Sequence, residues 1–152
     1  MGERTMPALS ILIPTRGRPA KLRACVKGLL AQDVAPGSFE ILIGVDGGAS
    51  NEAEHVEDVI EAYVQRHGGA RVPCRVFELA RGGPAATRNA LLSHARGATV
   101  LLLNDDVVPE PACVRTHLES QRELAASGRV AMVLGAAPWK VHEPDRLFDR
   151  LI

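Results

Sequence analysis

The sequence predicts an α/β domain: a three-layer α/β/α sandwich built around a mainly parallel sheet. Three observations carry that expectation. Short apolar runs of strand length alternate with longer stretches in which apolar residues recur every three or four positions. The first of these runs, Leu9 to Pro14, is continuously apolar, as a strand covered on both faces requires. The polar residues that break this logic, Thr15, Arg16, Arg18, Asp46, Asn104, Asp105 and Asp106, all follow strand-like runs.

Taken in order, "LSILIP" (Leu9 to Pro14) is a first strand stopped by a proline. Pro19 stands near the start of a helix that carries Leu22, Cys25, Val26, Leu29 and Leu30 on one stripe. "FEILIGVD" (Phe39 to Asp46) is the second strand, with "GGAS" as its turn. Asn51 and Glu54 have capping-box spacing, and Val56, Val59, Ile60, Tyr63 and Val64 continue as a helix that Gly68 and Gly69 end. "CRVFEL" (Cys74 to Leu79) is the third strand, Pro84 opens a helix that Gly97 closes, and "ATVLLLN" (Ala98 to Asn104) is the fourth strand. A helix from about Pro111 to Ser127 turns Val114, Leu118, Leu124 and Ala125 inward, with Gly128 as its C-cap. "VAMVLGAAPW" (Val130 to Trp139) is expected as a fifth strand, and "PDRLFDRLI" begins an amphipathic helix through Leu147, Phe148 and Leu151. With no repeat, low-complexity tract or linker, residues 1–152 read as one domain.

A chain of 152 residues is long enough to bury about two-thirds of the surface its unfolded form exposes. Its formal net charge of zero provides no field to draw in nucleic acid or an anionic membrane, so no nucleic-acid partner is expected. Cys25, Cys74 and Cys113 lie in no metal-ligand spacing and fit buried thiols in a reducing, cytoplasmic setting. The longest apolar run, Ala98 to Leu103, falls short of the roughly 20 residues of a membrane span. Any attachment is therefore expected to be peripheral, at the inner face of the membrane.

In an open parallel sheet the C-terminal strand ends share one edge, where ligands bind at the change of strand order. Asp105 and Asp106 repel one another there unless a cation or donors neutralise them. Oxygen-only ligation with few carboxylates suits Mg2+ or Mn2+, whose other positions are filled by water and phosphate oxygens. The alternative is that one of them caps the next helix or supports a turn before Pro109. In "RGGPAATRNALLSHARG" (Arg81 to Gly97), Gly82, Gly83 and Pro84 set up a helix N-terminus whose amides can face phosphate, with Arg88 about one turn inside. The alternative there is a tight turn with Arg88 solvated. Neither GxGxxG nor GxxxxGKS spacing occurs. "IPTRGRP" by itself reads as a loop with two solvated arginines. Combined with Asp46 it supplies a hydroxyl, a carboxylate that can accept a uracil imide N–H, and Arg18 to help hold a diphosphate.

The ordered segments "SILIPTRGR", "EILIGVDGG", "GGPAATRNALL" and "VLLLNDDVVPEP", within residues 8–118, strongly resemble the nucleotide-binding half of family-2 glycosyltransferases. Those are inverting enzymes of the Rossmann-like GT-A fold. The resemblance implies a nucleoside-diphosphate sugar donor, a UDP-sugar favoured, and Mn2+ or Mg2+ as cofactor. The acceptor is a hydroxyl of a glycan, lipid or small molecule. The family's PTYNR-like turn corresponds to Pro14 through Arg18, which marks Pro14, Thr15 and Arg18. "VDGGA" stands where the family has VDDGS, so Asp46 matches the residue that contacts the base, while Gly47 and Ala49 depart from the pattern. "GPAATRN" matches GxxxARN through Arg88 and Asn89, which implies that Arg88 approaches the diphosphate. "NDD" stands for DDD or DxD: Asn104 departs at the first position, Asp105 is implied near the ribose, and Asp106 is the metal carboxylate.

Transfer also needs a carboxylate base for the acceptor hydroxyl. The family places it beyond the fifth strand, so the catalytic base is unassigned and the C-terminal acceptor portion is expected to be missing. Glu143 and Asp145 read as surface charges, and His142 is a minor candidate for a further metal ligand. Trp139 lines the sugar pocket or packs in the core. The alternatives are a catalytically silent nucleotide-binding module or truncated fragment and, less favoured, a sugar nucleotidyltransferase, whose Gly-rich run is missing before "TRGRPAKL". An exposed last helix leaves a homodimer as a further alternative.

Overall fold

Two strands whose every residue is buried form the middle of the sheet: β1 (Leu9–Thr15) and β2 (Phe39–Asp46). They pair in parallel from Leu9 opposite Phe39 to Thr15 opposite Val45. In the computed structural model, which describes residues 6–48 and 52–138, β3 (Cys74–Leu79) flanks β2 and β4 (Thr99–Leu102) flanks β1. The order is β3-β2-β1-β4, all parallel. The helices are α1 (Pro19–Leu30), α2 (Glu52–Arg66), α3 (Gly83–Leu92) and α4 (Cys113–Ala126).

On one face Leu9, Ile11, Ile13, Ile41 and Ile43 pack against Leu22, Cys25, Val26 and Leu29 of α1, Val56, Val59 and Ile60 of α2, and Val114 and Leu118 of α4. Each such side chain contributes about 1.5–3 kcal/mol by leaving water. On the other face Leu12 and Leu42 meet Leu91 of α3. The expected three-layer α/β/α arrangement is therefore present, with unequal helix layers. Starting from β1, the chain steps outward through β2 to β3, and α3 then carries it back across the opposite face to β4. Right-handed crossovers force this change of face when the direction of travel reverses. The reversal lies between β1 and β4.

A polar cluster near the starts of the strands ties down the α3–β4 connection. Ser10 Oγ donates to Glu40 Oε1 (2.8 Å), and the Arg96 amide donates to the same oxygen (2.8 Å). Arg75 Nη2 donates to Glu40 Oε2 at 3.0 Å, and the Gly97 amide donates to Ser10 Oγ at 2.8 Å.

Several expectations need correction. α3 ends at Leu92, well before Gly97. Gly97 instead lies against β1, where a Cβ would come within 2.6 Å of the Leu9 carbonyl carbon and the Ser10 nitrogen, so close approach of two backbones selects the glycine. β4 is shorter than Ala98 to Asn104, and α4 starts at Cys113 rather than Pro111. In α4 Val114 and Leu118 are buried as expected, but Leu124 is only half-buried and Ala125 is exposed. Gly128 does terminate that helix: at φ 71° its amide bonds the Ala125 carbonyl while the Arg129 amide bonds that of Leu124, a Schellman arrangement.

The fifth strand is not formed over residues 130–138. Val130, Met132 and Leu134 stand 106 %, 86 % and 85 % exposed, and the segment is held by α4 side chains: Gln121 Nε2 donates to the Ala131 carbonyl, and Gly135 lies against His117. Apolar alternation favours a strand only where one side is buried and a ladder partner is present, and here the alternating side faces water. Ala49, Asn51, Trp139, His142, Glu143, Asp145 and the helix through Leu147, Phe148 and Leu151 lie outside the described residues. Among the described residues no helix is long and apolar enough to cross a membrane.

Candidate functional site

The parallel register carries the C-terminal ends of β1, β2 and β4 to one edge of the sheet, so Thr15, Asp46 and the Asn104–Asp106 turn share that edge. Beyond β4 the chain stays beside β1 for one more bond, from the Leu103 amide to the Leu12 carbonyl (3.1 Å). Asp105 then turns inward and is fully buried. Its Oδ2 accepts from Thr15 Oγ1 at 2.8 Å and from Arg18 Nε at 3.1 Å, and its Oδ1 lies 2.6 Å from Arg18 Nη2. Arg18 Nη1 lies 3.4 Å from Asp106 Oδ2, and the Asp106 side chain is 40 % exposed.

Neither aspartate caps α4, whose cap residue is Ala112 and whose Val114 amide donates to Gln32 Oε1 at 2.8 Å. Gln32 Nε2 also donates to the Glu110 carbonyl (2.8 Å), the Asp33 amide to that of Pro111 (2.9 Å), and Pro109 packs over Gly28. The loop bearing the carboxylates is thus fastened to the end of α1. Cys25 contacts the Asn104 carbonyl through Sγ at 3.7 Å. Burial, then the nearby charges of Asp105 and Asp106, pushes its thiol up to about 12, so it remains protonated.

On the other side of β1, Asp46 accepts from the Gly82 amide (2.7 Å) and the Gly83 amide (3.1 and 3.2 Å). The Gly82 hydrogen bond outweighs desolvation and, with that of Gly83 and the charges of Arg16 and Arg81, holds the carboxyl below its ordinary range. The anion at these two amides is therefore the chain's own carboxylate and not an incoming phosphate. Asp46 is fixed in place by them and keeps lone pairs for a further donor. One turn into α3, Arg88 Nη2 donates to Asn104 Oδ1 at 2.6 Å and ties the helix to the end of β4. Its Nε is buried without a hydrogen-bond partner among the described residues.

Thr15, Arg18, Asp105 and Asp106 thus form one connected cluster, Arg88 and Asn104 a pair beside it, and Asp46 sits at the neighbouring strand end. Pro14 is a buried β1 residue opposite Gly44 and contributes to the mount. The ribose contact implied for Asp105 is not what this geometry offers, because its oxygens face Thr15 and Arg18 inside the protein. Arg81, just before the Gly-Gly turn that Asp46 binds, adds positive charge at this strand end, and its place beside that turn is the sequence signal for it.

Among the described residues no three His, Cys, Asp or Glu side chains cluster as a metal cage. With Asp105 enclosed, Asp106 is the exposed carboxylate of the pair. That donor set fits a hard divalent cation that draws most of its ligands from water and phosphate.

A profile described as Glycosyl transferase family 2 matches residues 10–143. The uncharacterized protein y4gI of Sinorhizobium fredii (strain NBRC 101917 / NGR234) is 39 % identical over 104 residues, 66 % of this chain and 10 % of that protein. The crystal structure of S. aureus TarS 1-349 superposes with a TM-score of 0.65 at 21 % identity, over 77 % of this chain and 33 % of that one. Its complex with UDP-GlcNAc matches at a TM-score of 0.65 and 22 % identity, over 77 % and 32 %. The mannosyltransferase PcManGT from Pyrobaculum calidifontis, in complex with GDP-Man and Mn2+, matches with a TM-score of 0.60 at 18 % identity, over 82 % and 34 %. The chain thus spans about a third of these solved chains and a tenth of y4gI. The shared fold is the parallel α/β architecture described above.

Proposed function

The chain belongs to glycosyl transferase family 2, with the GT-A fold, and from that premise we propose that it is the donor-binding part of a glycosyltransferase. The donor is a nucleoside-diphosphate sugar, with a UDP-sugar favoured, and transfer to an acceptor hydroxyl proceeds with inversion.

The observation that carries this reading is the meeting of Thr15 and Arg18 with Asp105 and Asp106 across the β1/β4 reversal, the place where ligands enter open α/β sheets. Arg18 and Arg88 supply cationic donors for the diphosphate, and the unpaired Arg88 Nε gains a partner when an anion arrives. Asp46, held by the Gly82 and Gly83 amides, presents a fixed acceptor to a base N–H. Asp106 would hold Mn2+ or Mg2+ with phosphate oxygens and water. When bound, that ion stabilises negative charge on the departing nucleoside diphosphate. Asp105 acts from inside the protein by orienting Arg18.

Calorimetry with UDP, GDP and ADP, with and without Mn2+, tests the reading. Binding of UDP in the presence of Mn2+ is expected. Loss of a charge-assisted contact of about 1.5–3 kcal/mol in Arg88→Ala should weaken it roughly 10- to 100-fold. No binding of any nucleoside diphosphate under either condition would refute it. Turnover of a UDP-sugar supports the enzyme, whereas binding without turnover favours a catalytically silent nucleotide-binding module.

A further inference from the structure

Two adjacent carboxylates on an exposed edge would attract a divalent cation unaided, but this edge already holds a cation of its own. Arg18 grips Asp105 at two points, Nη2 to Oδ1 at 2.6 Å and Nε to Oδ2 at 3.1 Å, and Thr15 closes the same carboxylate from another side. Its reach to Asp106, Nη1 to Oδ2 at 3.4 Å, is longer, and both groups there are partly open to solvent, at 45 % and 40 % exposure. The guanidinium is therefore anchored on the buried carboxylate and leans on the exposed one. An ion pair of the second kind is weak and exchangeable.

We infer that Arg18 is a resident counter-cation that makes metal binding at Asp106 conditional on the nucleoside diphosphate. This rests on the donor-binding reading above. Without nucleotide, a dication meets a single open carboxylate, a fixed positive charge within contact distance of it, and no third acidic or histidine ligand among the described residues. With nucleotide, phosphate oxygens take over the outward donors of Arg18 and simultaneously ligate the metal, so the guanidinium and the dication share an anion instead of competing for Asp106. By linkage the effect is reciprocal: metal tightens nucleotide binding by the factor by which nucleotide tightens metal binding. Such coupling would keep an unloaded site from sequestering metal.

The test is a Mn2+ titration of the full chain followed by electron paramagnetic resonance of free Mn2+, with and without UDP. The wild type should bind Mn2+ alone weakly and at least tenfold more tightly with UDP. Arg18→Met should bind Mn2+ alone at least tenfold more tightly than the wild type, with a smaller gain on adding UDP. Asp106→Asn placed in the Arg18→Met background should abolish that increase. Because Arg18→Met leaves the buried Asp105 without its cationic partner, circular dichroism checks its fold. Arg18→Lys provides the second variant: a point charge can serve Asp105 but cannot span both carboxylates, so Mn2+ binding should shift the same way, at least threefold. Wild-type affinity for Mn2+ that is unchanged by either substitution or, where UDP itself binds and its own Mn2+ complexation has been subtracted, equal with and without UDP, overturns the inference. Failure of the donor reading shows up separately, as absence of UDP binding in every variant, while the Mn2+-only comparison still decides the role of Arg18.

Discussion

Glu40 interrupts the apolar run of β2 with a carboxylate that is only 2 % exposed. Burial pushes its pKa up, but the Ser10 hydroxyl, the Arg96 amide and Arg75 together hold it below the ordinary glutamate value. A carboxyl whose folded pKa is depressed stabilises the native state fully above its unfolded pKa of about 4.3, and that contribution is lost as pH falls through the folded pKa. Glu40→Gln should therefore cost about 1–3 kcal/mol at pH 7, because one carboxylate oxygen becomes an NH2 group and the Arg75 guanidinium on Oε2 loses its acceptor. The gap in urea midpoint between wild type and variant should narrow steadily below about pH 4. A gap that stays constant with pH would mean that the charge of Glu40 contributes nothing to folding. Ser10 and Glu40 stand inside runs that read as apolar strands, and neither they nor their partnership was legible in the sequence pattern. The partnership follows from the register that sets them side by side.

Among the described helices α3 is the one that packs on its face of the sheet, and it carries Arg88. Its distance from β2 is set by Gly44, where a Cβ would come within 2.5 Å of Thr87 Cγ2, 3.1 Å of Leu79 Cδ1 and 3.2 Å of Leu91 Cδ1. Gly44→Ala should lift the helix at a cost of about 1–3 kcal/mol, read as a lower urea midpoint. It should also weaken UDP binding, although residue 44 lies beneath the site and not in it. Unchanged affinity in the destabilised variant would show that the Arg88–Asn104 contact tolerates movement of α3. The bounds of β2 and β3 and the buried stripe of α1 were readable beforehand because periodicity records which side of an element is covered. The end of α3 and the fate of residues 130–138 were not, because a helix stop and a ladder partner depend on what the rest of the chain places nearby.

For the molecule as a whole, protection should follow the layering. β1 and β2 are buried along their entire lengths and bonded on both sides, whereas β4 contributes four residues at one edge of the described sheet. In native-state hydrogen exchange the β1 and β2 amides should open only with global unfolding, with β4 and residues 130–138 exchanging sooner. Uniform protection across the sheet would contradict a core centred on these two strands. Adding UDP with Mn2+ should slow exchange at the ends of β1 and β4 in preference to β3, since the proposed ligand bridges that seam.

The class of fold, the identity of most elements and the gathering of chemistry at the ends of strands are all legible in the order of residues. Those properties are written locally, as the spacing of apolar side chains and the point where that spacing stops. Tertiary structure alone decided that Asp105 is buried and Asp106 open, that Arg18 lies between them, and that Asp46 occupies the amides in front of α3. These pairings join residues as far apart as Thr15 and Asp105. They exist because the reversal of strand order lays β4 against β1, and a local pattern records that a side chain is covered without recording what covers it.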